Sequence, residues 1–301
     1  MRTAYLLVSH GSTDPRHQAG LARLAQGMRQ HLRRWSRREQ TADKSTLPHC
    51  QEPVNTVLPS SLPPLSTIQT LPFRSRPQAP ALDLSPFLVG TATLEAAKTS
   101  LAEQIATFAQ GALLQGADQV LIVPLFLLAG VHVREDLPAE IAAAQMQLPA
   151  SLQLNCLPYL GSHGQFKQYV AARLAKTKAN RCVLLAHGSS RTAGNQVIQQ
   201  LGKLLDTDVA FWSVPPDLET QVYNLMQQGC QHITIAPFFL FPGGITDAIT
   251  RRTEQIAEHL PKLSLRLLSP LGTSSDLGKV VAEIALGMPH GLSTQRWQTA
   301  T

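Results

Sequence analysis

The sequence lacks the features by which several classes of protein are recognised. Its four cysteines have no Cys-x-x-Cys spacing, which argues against a zinc ribbon or an iron–sulfur cluster and favours buried thiols in a reducing compartment. The longest apolar run, Val120–Val131, is interrupted by Pro124 and is too short to span a bilayer. The N-terminus does not resemble a cleaved signal peptide. We therefore expect a cytoplasmic protein that is not associated with a membrane.

Aromatic residues are also scarce, at 5% of the chain, and no nucleic-acid-binding motif is present. The formal net charge is +6 and the isoelectric point is near 9.4, so the chain favours an anionic partner. Such a partner could be nucleic acid, an acidic membrane or a polycarboxylate. Without a binding motif or an aromatic basic stripe, we expect no nucleic-acid partner.

One pattern occurs twice, and the rest of the chain is organised around it. Residues 4–14 read AYLLVSHGSTD and residues 182–190 read CVLLAHGSS. Each copy has a short apolar run, typical of a strand buried in a parallel sheet, followed by His, Gly and a hydroxyl residue. His10 and His187 therefore follow the carboxyl ends of strands, where ligands bind in open α/β sheets.

A second pair of similar segments extends the repeat. Residues 116–128 read GADQVLIVPLFLL and residues 229–241 read GCQHITIAPFFLF. Strands that alternate with helices of this length predict an α/β fold with two similar lobes, each a parallel sheet flanked by helices, that arose by internal duplication. We predict an N-terminal lobe over residues 1–160 and a C-terminal lobe over residues 161–301, with a cleft between them.

The N-terminal lobe contains a segment of different composition. The first helix is predicted to run from Pro15 to about Trp35, and residues 39–82, rich in Pro, Ser, Thr and Gln, are predicted to be a flexible insertion. Order is predicted to resume with a second strand over residues 84–90. A helix is then predicted over residues 93–114, with Thr91 or Thr93 ahead of Glu95 in a capping-like arrangement.

Only the N-terminal lobe offers two histidines at neighbouring strand ends. His132 lies just beyond the third strand, whereas Ile245 stands at the aligned position of the other lobe. Two neutral imidazoles and a carboxylate around one cleft can bind a divalent metal and leave positions open for substrate. We predict His10 and His132 as metal ligands and Glu95 as the nearby carboxylate. The alternative role for Glu95 is to cap the helix that follows it.

Three segments resemble the motifs of the sirohydrochlorin chelatases, which are class II chelatases. They are SHGS with Asp14-Pro15-Arg16, TLEAAKTSLAEQI, and PLFLLAGVHVREDLP. The resemblance covers roughly residues 1–36 and 84–288 and implies the long, internally duplicated form. It implies insertion of Co²⁺, or else Fe²⁺, into sirohydrochlorin for cobalamin or siroheme synthesis, with His10 and His132 as the catalytic metal-binding pair. Glu95 matches the acidic residue of a Phe-Leu-Glu segment that reads Thr-Leu-Glu here.

The same resemblance implies an anionic tetrapyrrole substrate that carries eight carboxylates. Groups that could bind those carboxylates are Ser12, Thr13, Arg134, His187 and Ser189. His187 could equally be a relic of the duplication. No tightly bound cofactor is expected, because the metal is a substrate. A monomer is the simplest expectation, because one chain supplies both lobes.

Other functions remain open at this point. A metal or tetrapyrrole carrier would use the same cleft without turnover. A histidine phosphatase would need Arg directly before His-Gly, where Ser9 and Ala186 stand, and a periplasmic binding protein would need a signal sequence. A lone histidine at a strand end is more often structural, so the hypothesis of a metal site depends on His10 and His132 occurring together.

Overall fold

Two four-stranded parallel sheets with helices on their faces make up the computed structural model, which describes residues 2–44, 87–177, 181–190 and 192–287. The strands of the first sheet are β1 (Thr3–Ser9), β2 (Val89–Thr93), β3 (Gln119–Pro124) and β4 (Gln153–Cys156). Those of the second are β5 (Arg181–Ala186), β6 (Asp208–Phe211), β7 (His232–Pro237) and β8 (Ser264–Leu267). The orders β2-β1-β3-β4 and β6-β5-β7-β8 are the same topology used twice. The predicted fold class is confirmed.

Each of the eight strands is followed by an α-helix within these ranges. These helices are α1 (Pro15–Lys44), α2 (Leu101–Leu114), α3 (Leu137–Gln145), α4 (Gly164–Ala175), α5 (Thr192–Leu204), α6 (Leu218–Gln227), α7 (Gly244–His259) and α8 (Asp276–Leu286). None of the helices in the described part of the chain is long and apolar enough to cross a membrane.

The strands send alternate side chains into different hydrophobic cores. In β1, Tyr5 and Leu7 enter one core, whereas Ala4, Leu6 and Val8 enter another. This period of two is the ordinary consequence of strand geometry. Each sheet is therefore buried on both faces, as its continuous apolar strands predict.

The second sheet divides its side chains in the same way, and one of its faces shares a core with the first. Leu184 and Ala186 of β5 join the core that contains Tyr5 and Leu7, whereas Val183 packs into a separate outer core. Helices α1, α4, α5 and α8 contribute to the shared core. Helices α2 and α3 cover the outer face of the first sheet, and α6 and α7 that of the second. The result is five layers with a common central layer of helices.

The structure corrects three predicted boundaries. Helix α1 continues to Lys44 instead of ending near Trp35, because no Pro or Gly interrupts that stretch. The predicted insertion thus begins within the helix, and residues 45–82 lie outside the described ranges. Strand β2 occupies Val89–Thr93 and so extends three residues beyond the predicted end at residue 90, since it pairs with β1 as far as Ser9; residues 84–86 of the predicted strand lie outside the described ranges. The division of the chain at residue 160 stays a prediction.

The third correction concerns α2, which begins at Leu101 and not near Thr93. Ser100 and Glu103 form a capping box: the Ser100 hydroxyl accepts from the Glu103 N–H at 3.2 Å, and the Glu103 carboxylate accepts from the Ser100 N–H at 2.9 Å. Glu95 therefore caps no helix. It lies in the loop between β2 and α2, where its carboxylate is exposed.

Candidate metal site

Three side chains converge at the carboxyl edge of the first sheet. His10 directly follows β1, Glu95 lies in the loop after β2, and His132 begins a π-helical turn, His132–Asp136, that leads into α3. Since β1 lies between β2 and β3, these residues follow three neighbouring strands. Their candidate ligand atoms all lie within 4.8 Å of one another. Within the described ranges, no other group of three His, Cys, Asp or Glu residues has this geometry.

The distances suit a shared metal ion better than direct hydrogen bonds. Nδ1 of His10 is 3.6 Å from Oε2 of Glu95, and Nε2 of His132 is 4.0 Å from Oε1 of the same carboxylate. The two imidazoles meet edge to face, with centroids 4.6 Å apart. Ligands with bonds of about 2.1 Å to one metal lie roughly 3 to 4 Å apart. The side chains are 49%, 56% and 35% exposed for His10, Glu95 and His132, so one side of the site is open.

The backbone around Gly11 fixes the spacing between His10 and Glu95. The N–H of Glu95 donates to the carbonyl of His10 at 2.8 Å and extends the pairing of β1 with β2. Gly11 has φ +99°, and a Cβ there would lie 2.0 Å from the carbonyl oxygen of Glu95. Glycine therefore lets the two loops approach this closely.

His132 is oriented by the acidic residue one turn later. Its Nδ1 lies 2.7 Å from Oδ2 of Asp136, which leaves Nε2 on the side of Glu95. A carboxylate on one imidazole nitrogen fixes the tautomer that presents the other nitrogen to a metal. The π-helical turn brings these two residues together, and single π turns occur often at functional sites.

The second half of the chain, which contains strands β5–β8, keeps only part of this arrangement. Ser213 donates its N–H to the carbonyl of His187 at 2.9 Å, just as Glu95 does to His10, so Ser213 occupies the position of Glu95. Ile245 lies in the first turn of α7, at the same distance in sequence from the proline that ends β7 as His132 keeps from Pro124. His187 is exposed, and its Nδ1 lies 2.9 Å from the carbonyl of Gly188. The described part of the second half thus retains one of the three groups.

Of the remaining predicted binding residues, Ser12, Thr13 and Ser189 lie in loops that follow β1 and β5, and Arg134 lies in the π-helical turn. The Ser12 hydroxyl accepts from the N–H of Asp14 at 3.1 Å and so stabilises its own loop. Ser189 is held by Asn195, which accepts from its N–H at 2.9 Å and donates to its carbonyl at 2.7 Å. Thr13 and Arg134 are exposed. Their roles in binding substrate stay predictions.

Two further residues near the site were not identified from the sequence as part of it. Arg16 pairs with Asp14 and with Asp247 of the second half, and its guanidinium lowers the pKa of Asp14 to about 2 and also lowers that of Asp247. His17 lies in α1 but is only 9% exposed, and its ring meets that of Phe241 edge to face with centroids 4.9 Å apart. Burial, and next the charge of His10, lower the pKa of His17.

Little in the sequence could have revealed these contacts. The segment Asp14-Pro15-Arg16 stands out only as part of a motif. Nothing in the sequence marks Asp247 as a partner of Arg16, or Phe241 as a partner of His17. Both contacts join residues more than half the chain apart, which the spacing of residues does not encode.

Comparison with known proteins identifies relatives of the chain. The CbiX family model matches residues 83–177 and again residues 181–285. Sirohydrochlorin ferrochelatase of Priestia megaterium is 25% identical over 156 residues, which cover 48% of this chain and 58% of that protein. Sirohydrochlorin cobaltochelatase of the same organism is 22% identical over 214 residues, which cover 66% and 68%. The chain thus spans about three fifths of the ferrochelatase.

Solved structures show the same fold. SirB from Bacillus subtilis with Fe³⁺ aligns with a TM-score of 0.62 at 19% identity and covers 95% of both chains. The sirohydrochlorin chelatase SirB from Bacillus subtilis subspecies spizizenii in complex with cobalt aligns with a TM-score of 0.57 at 19% identity, covering 95% of this chain and 96% of that one. The likeness extends over both sheets.

Proposed function

Because the chain belongs to the CbiX family, we propose that it is a lyase that inserts a divalent metal ion into sirohydrochlorin. Co²⁺ is our first candidate and Fe²⁺ the second. The relatives of the chain include a protein named as a cobaltochelatase and another named as a ferrochelatase. The observation that carries the proposal is the convergence of His10, Glu95 and His132 at one sheet edge. Such an enzyme serves cobalamin or siroheme biosynthesis.

His10 and His132 receive the metal. Imidazole suits Co²⁺ and Fe²⁺, and as a neutral ligand it leaves the charge of the ion intact, so the ion can be passed on to the macrocycle. Asp136 orients His132 for this role through the contact at Nδ1. The open side of the site gives the macrocycle access to the ion.

Insertion also requires that two pyrrole N–H protons leave the macrocycle. Glu95 is our candidate for the acceptor, because its exposed carboxylate lies between both imidazoles and can reach the same face of the substrate. Positioned bases of this kind contribute roughly 10²- to 10⁴-fold to rate. The basic chain favours the polyanionic substrate, and Ser12, Thr13, Arg134, His187 and Ser189 remain candidate partners for its carboxylates.

An anaerobic assay of sirohydrochlorin with Co²⁺ or Fe²⁺ tests the proposal. Loss of the metal-free spectrum is followed against a control without enzyme, which corrects for spontaneous insertion. We expect His10→Ala and His132→Ala to fall to the background rate, and Glu95→Gln to lose roughly 100-fold. His259→Ala is the matched control, because this exposed histidine lies at the end of α7, and its Nδ1 donates to the Gln255 carbonyl at 2.7 Å.

Two results would contradict the proposal. Folded His10→Ala and His132→Ala variants that both insert metal at the parental rate would exclude the site. A chain that binds Co²⁺ and sirohydrochlorin without turnover would be a metal or tetrapyrrole carrier, which is the alternative function. The monomeric state and the cytoplasmic location stay predictions.

A further inference from the structure

Close in sequence to the metal ligand His10, Arg16 makes ion pairs with both halves of the molecule. Nε of Arg16 donates to Oδ1 and Oδ2 of Asp14 at 3.0 and 3.2 Å, and Nη2 donates to Oδ2 at 2.6 Å. The other edge of the guanidinium faces Asp247, with Nη1 donating to Oδ1 at 2.9 Å and Nη2 to Oδ2 at 2.6 Å. One planar group thus binds a carboxylate from each half, both of them bidentately.

The two carboxylates lie in segments that follow a strand of each sheet, β1 and β7. Asp14 ends the short loop that begins at His10, and its Oδ1 also accepts from the backbone N–H of Arg16 at 2.9 Å. Asp247 lies in the first turn of α7, close to Ile245, which stands where His132 would be in the second half. The Arg16 contact therefore connects the loop that follows one metal ligand to the first turn of α7 in the second half.

We propose that Arg16 is a positioning residue that holds the two halves at the separation that the macrocycle requires. The inference rests on the proposed function, because it concerns how sirohydrochlorin is held against the His10, Glu95 and His132 side chains. Those three groups belong to one half, so the second half must supply the other wall of the cleft. A displacement of about 1 Å between reacting groups can cost roughly 100-fold in rate.

The exposure of Arg16, Asp14 and Asp247 argues for a positioning role and against a merely stabilising one. Arg16, Asp14 and Asp247 are 48%, 20% and 41% exposed, and ion pairs open to solvent contribute little to stability. The adjacent apolar contact of His17 with Phe241 is better placed to stabilise the junction. Loss of the Arg16 contact should therefore alter the cleft while leaving the melting temperature nearly unchanged.

Asp247→Asn is the most informative variant, because it keeps the shape of the side chain and lies outside the first half. We expect roughly tenfold weaker binding of sirohydrochlorin, measured by its absorbance change. Binding of Co²⁺ should be unchanged, because its ligands all come from the first half. Hydrogen–deuterium exchange should rise in residues 11–17, on the far side of the contact. Arg16→Ala should weaken sirohydrochlorin binding as much as Asp247→Asn does. The double variant should bind no more weakly than either single variant, as expected for two groups that act together.

Arg252→Ala is the matched control. Arg252 also belongs to α7 and pairs with Glu219, which lies in the same half, so its loss should change neither substrate binding nor exchange in residues 11–17. Unchanged sirohydrochlorin affinity in Asp247→Asn would overturn the proposal. So would weaker binding in Arg16→Ala alone, since Arg16 would then bind a substrate carboxylate directly. A parental chain that binds sirohydrochlorin without inserting metal would refute the proposed activity, and the comparison of variants would still decide the role of Arg16.

Discussion

Asp136 is the residue that turns His132 from a strand-end histidine into an oriented ligand. Its Oδ2 holds Nδ1 of His132 at 2.7 Å, and the exposed Glu135 beside it has no part in this contact. The Asp136 carboxylate is therefore the hydrogen-bond acceptor for His132.

Replacing Asp136 tests how much this contact matters. Asp136→Asn keeps the size of the side chain but removes the charge that favours the Nδ1–H tautomer. We expect Co²⁺ affinity to fall roughly 10- to 100-fold, as is typical when a partner of a metal-binding histidine is lost. Titration of the protein with Co²⁺, followed by visible absorption, measures the change. Glu135→Gln removes the same charge one residue away and should bind Co²⁺ like the parent; equal losses in both variants would indicate a general charge effect.

The residues that the sequence identified share one property, which is that short spacing rules place them. His10 and His132 follow buried apolar strands, and parallel strands bring their carboxyl ends to one edge. Glu95 was identified for the same reason, although the predicted helix around it was wrong. Arg16 and His17 lie on a helix whose partners come from the other half, and a pattern within one segment carries no information about such partners.

Among the elements, helices α1 and α8 make a close contact between the halves. A Cβ built on Gly278 of α8 would lie 2.9 Å from Cα and C of Gly27 in α1 and 3.0 Å from N of Met28. All three atoms belong to the backbone and cannot move aside as a flexible side chain would. Gly278 therefore permits the two helices to pack with their backbones in contact.

A pair of glycine substitutions separates this packing from helix propensity. Gly278→Ala should lower the free energy of unfolding by about 1–3 kcal/mol, because overpacking outweighs the better propensity of alanine. Gly111 lies inside α2 with nothing within 4 Å of a built Cβ. Gly111→Ala should instead raise the free energy of unfolding by about 0.5–1 kcal/mol. Urea denaturation measures both, and a stabilising effect at both positions would show that the α1–α8 contact tolerates a methyl group.

At the level of elements, the sequence predicted which segments are strands and helices better than where they begin. The repeated apolar runs located β1, β3, β5 and β7, because fully buried strands have an unmistakable composition. Strand β2 reads Val-Gly-Thr-Ala-Thr and is set by its pairing with β1, which no local pattern shows. The start of α2 is marked in the sequence by Ser100 and Glu103, which satisfy the capping-box pattern and lie several residues after the predicted arrangement of Thr91 or Thr93 with Glu95.

The molecule as a whole has one central core that belongs to both halves. Side chains from β1 and β5 meet there with those of α1, α4, α5 and α8. The duplication visible in the sequence predicts two similar sheets, but it does not predict which faces they share. Separation of the halves would expose this central layer to water, so neither half retains a complete core alone.

We therefore expect the two halves to unfold together in a single thermal transition. Ile105 of α2 and Ile249 of α7 are fully buried in the outer cores on opposite sides of the molecule. Ile→Val at either position should cost about 0.5–1.5 kcal/mol and lower the same transition by a few degrees. Differential scanning calorimetry of the full chain tests this, with equality of the calorimetric and van't Hoff enthalpies as the criterion. Two transitions, of which Ile105→Val moves one and Ile249→Val the other, would show that each half is stable without the shared layer.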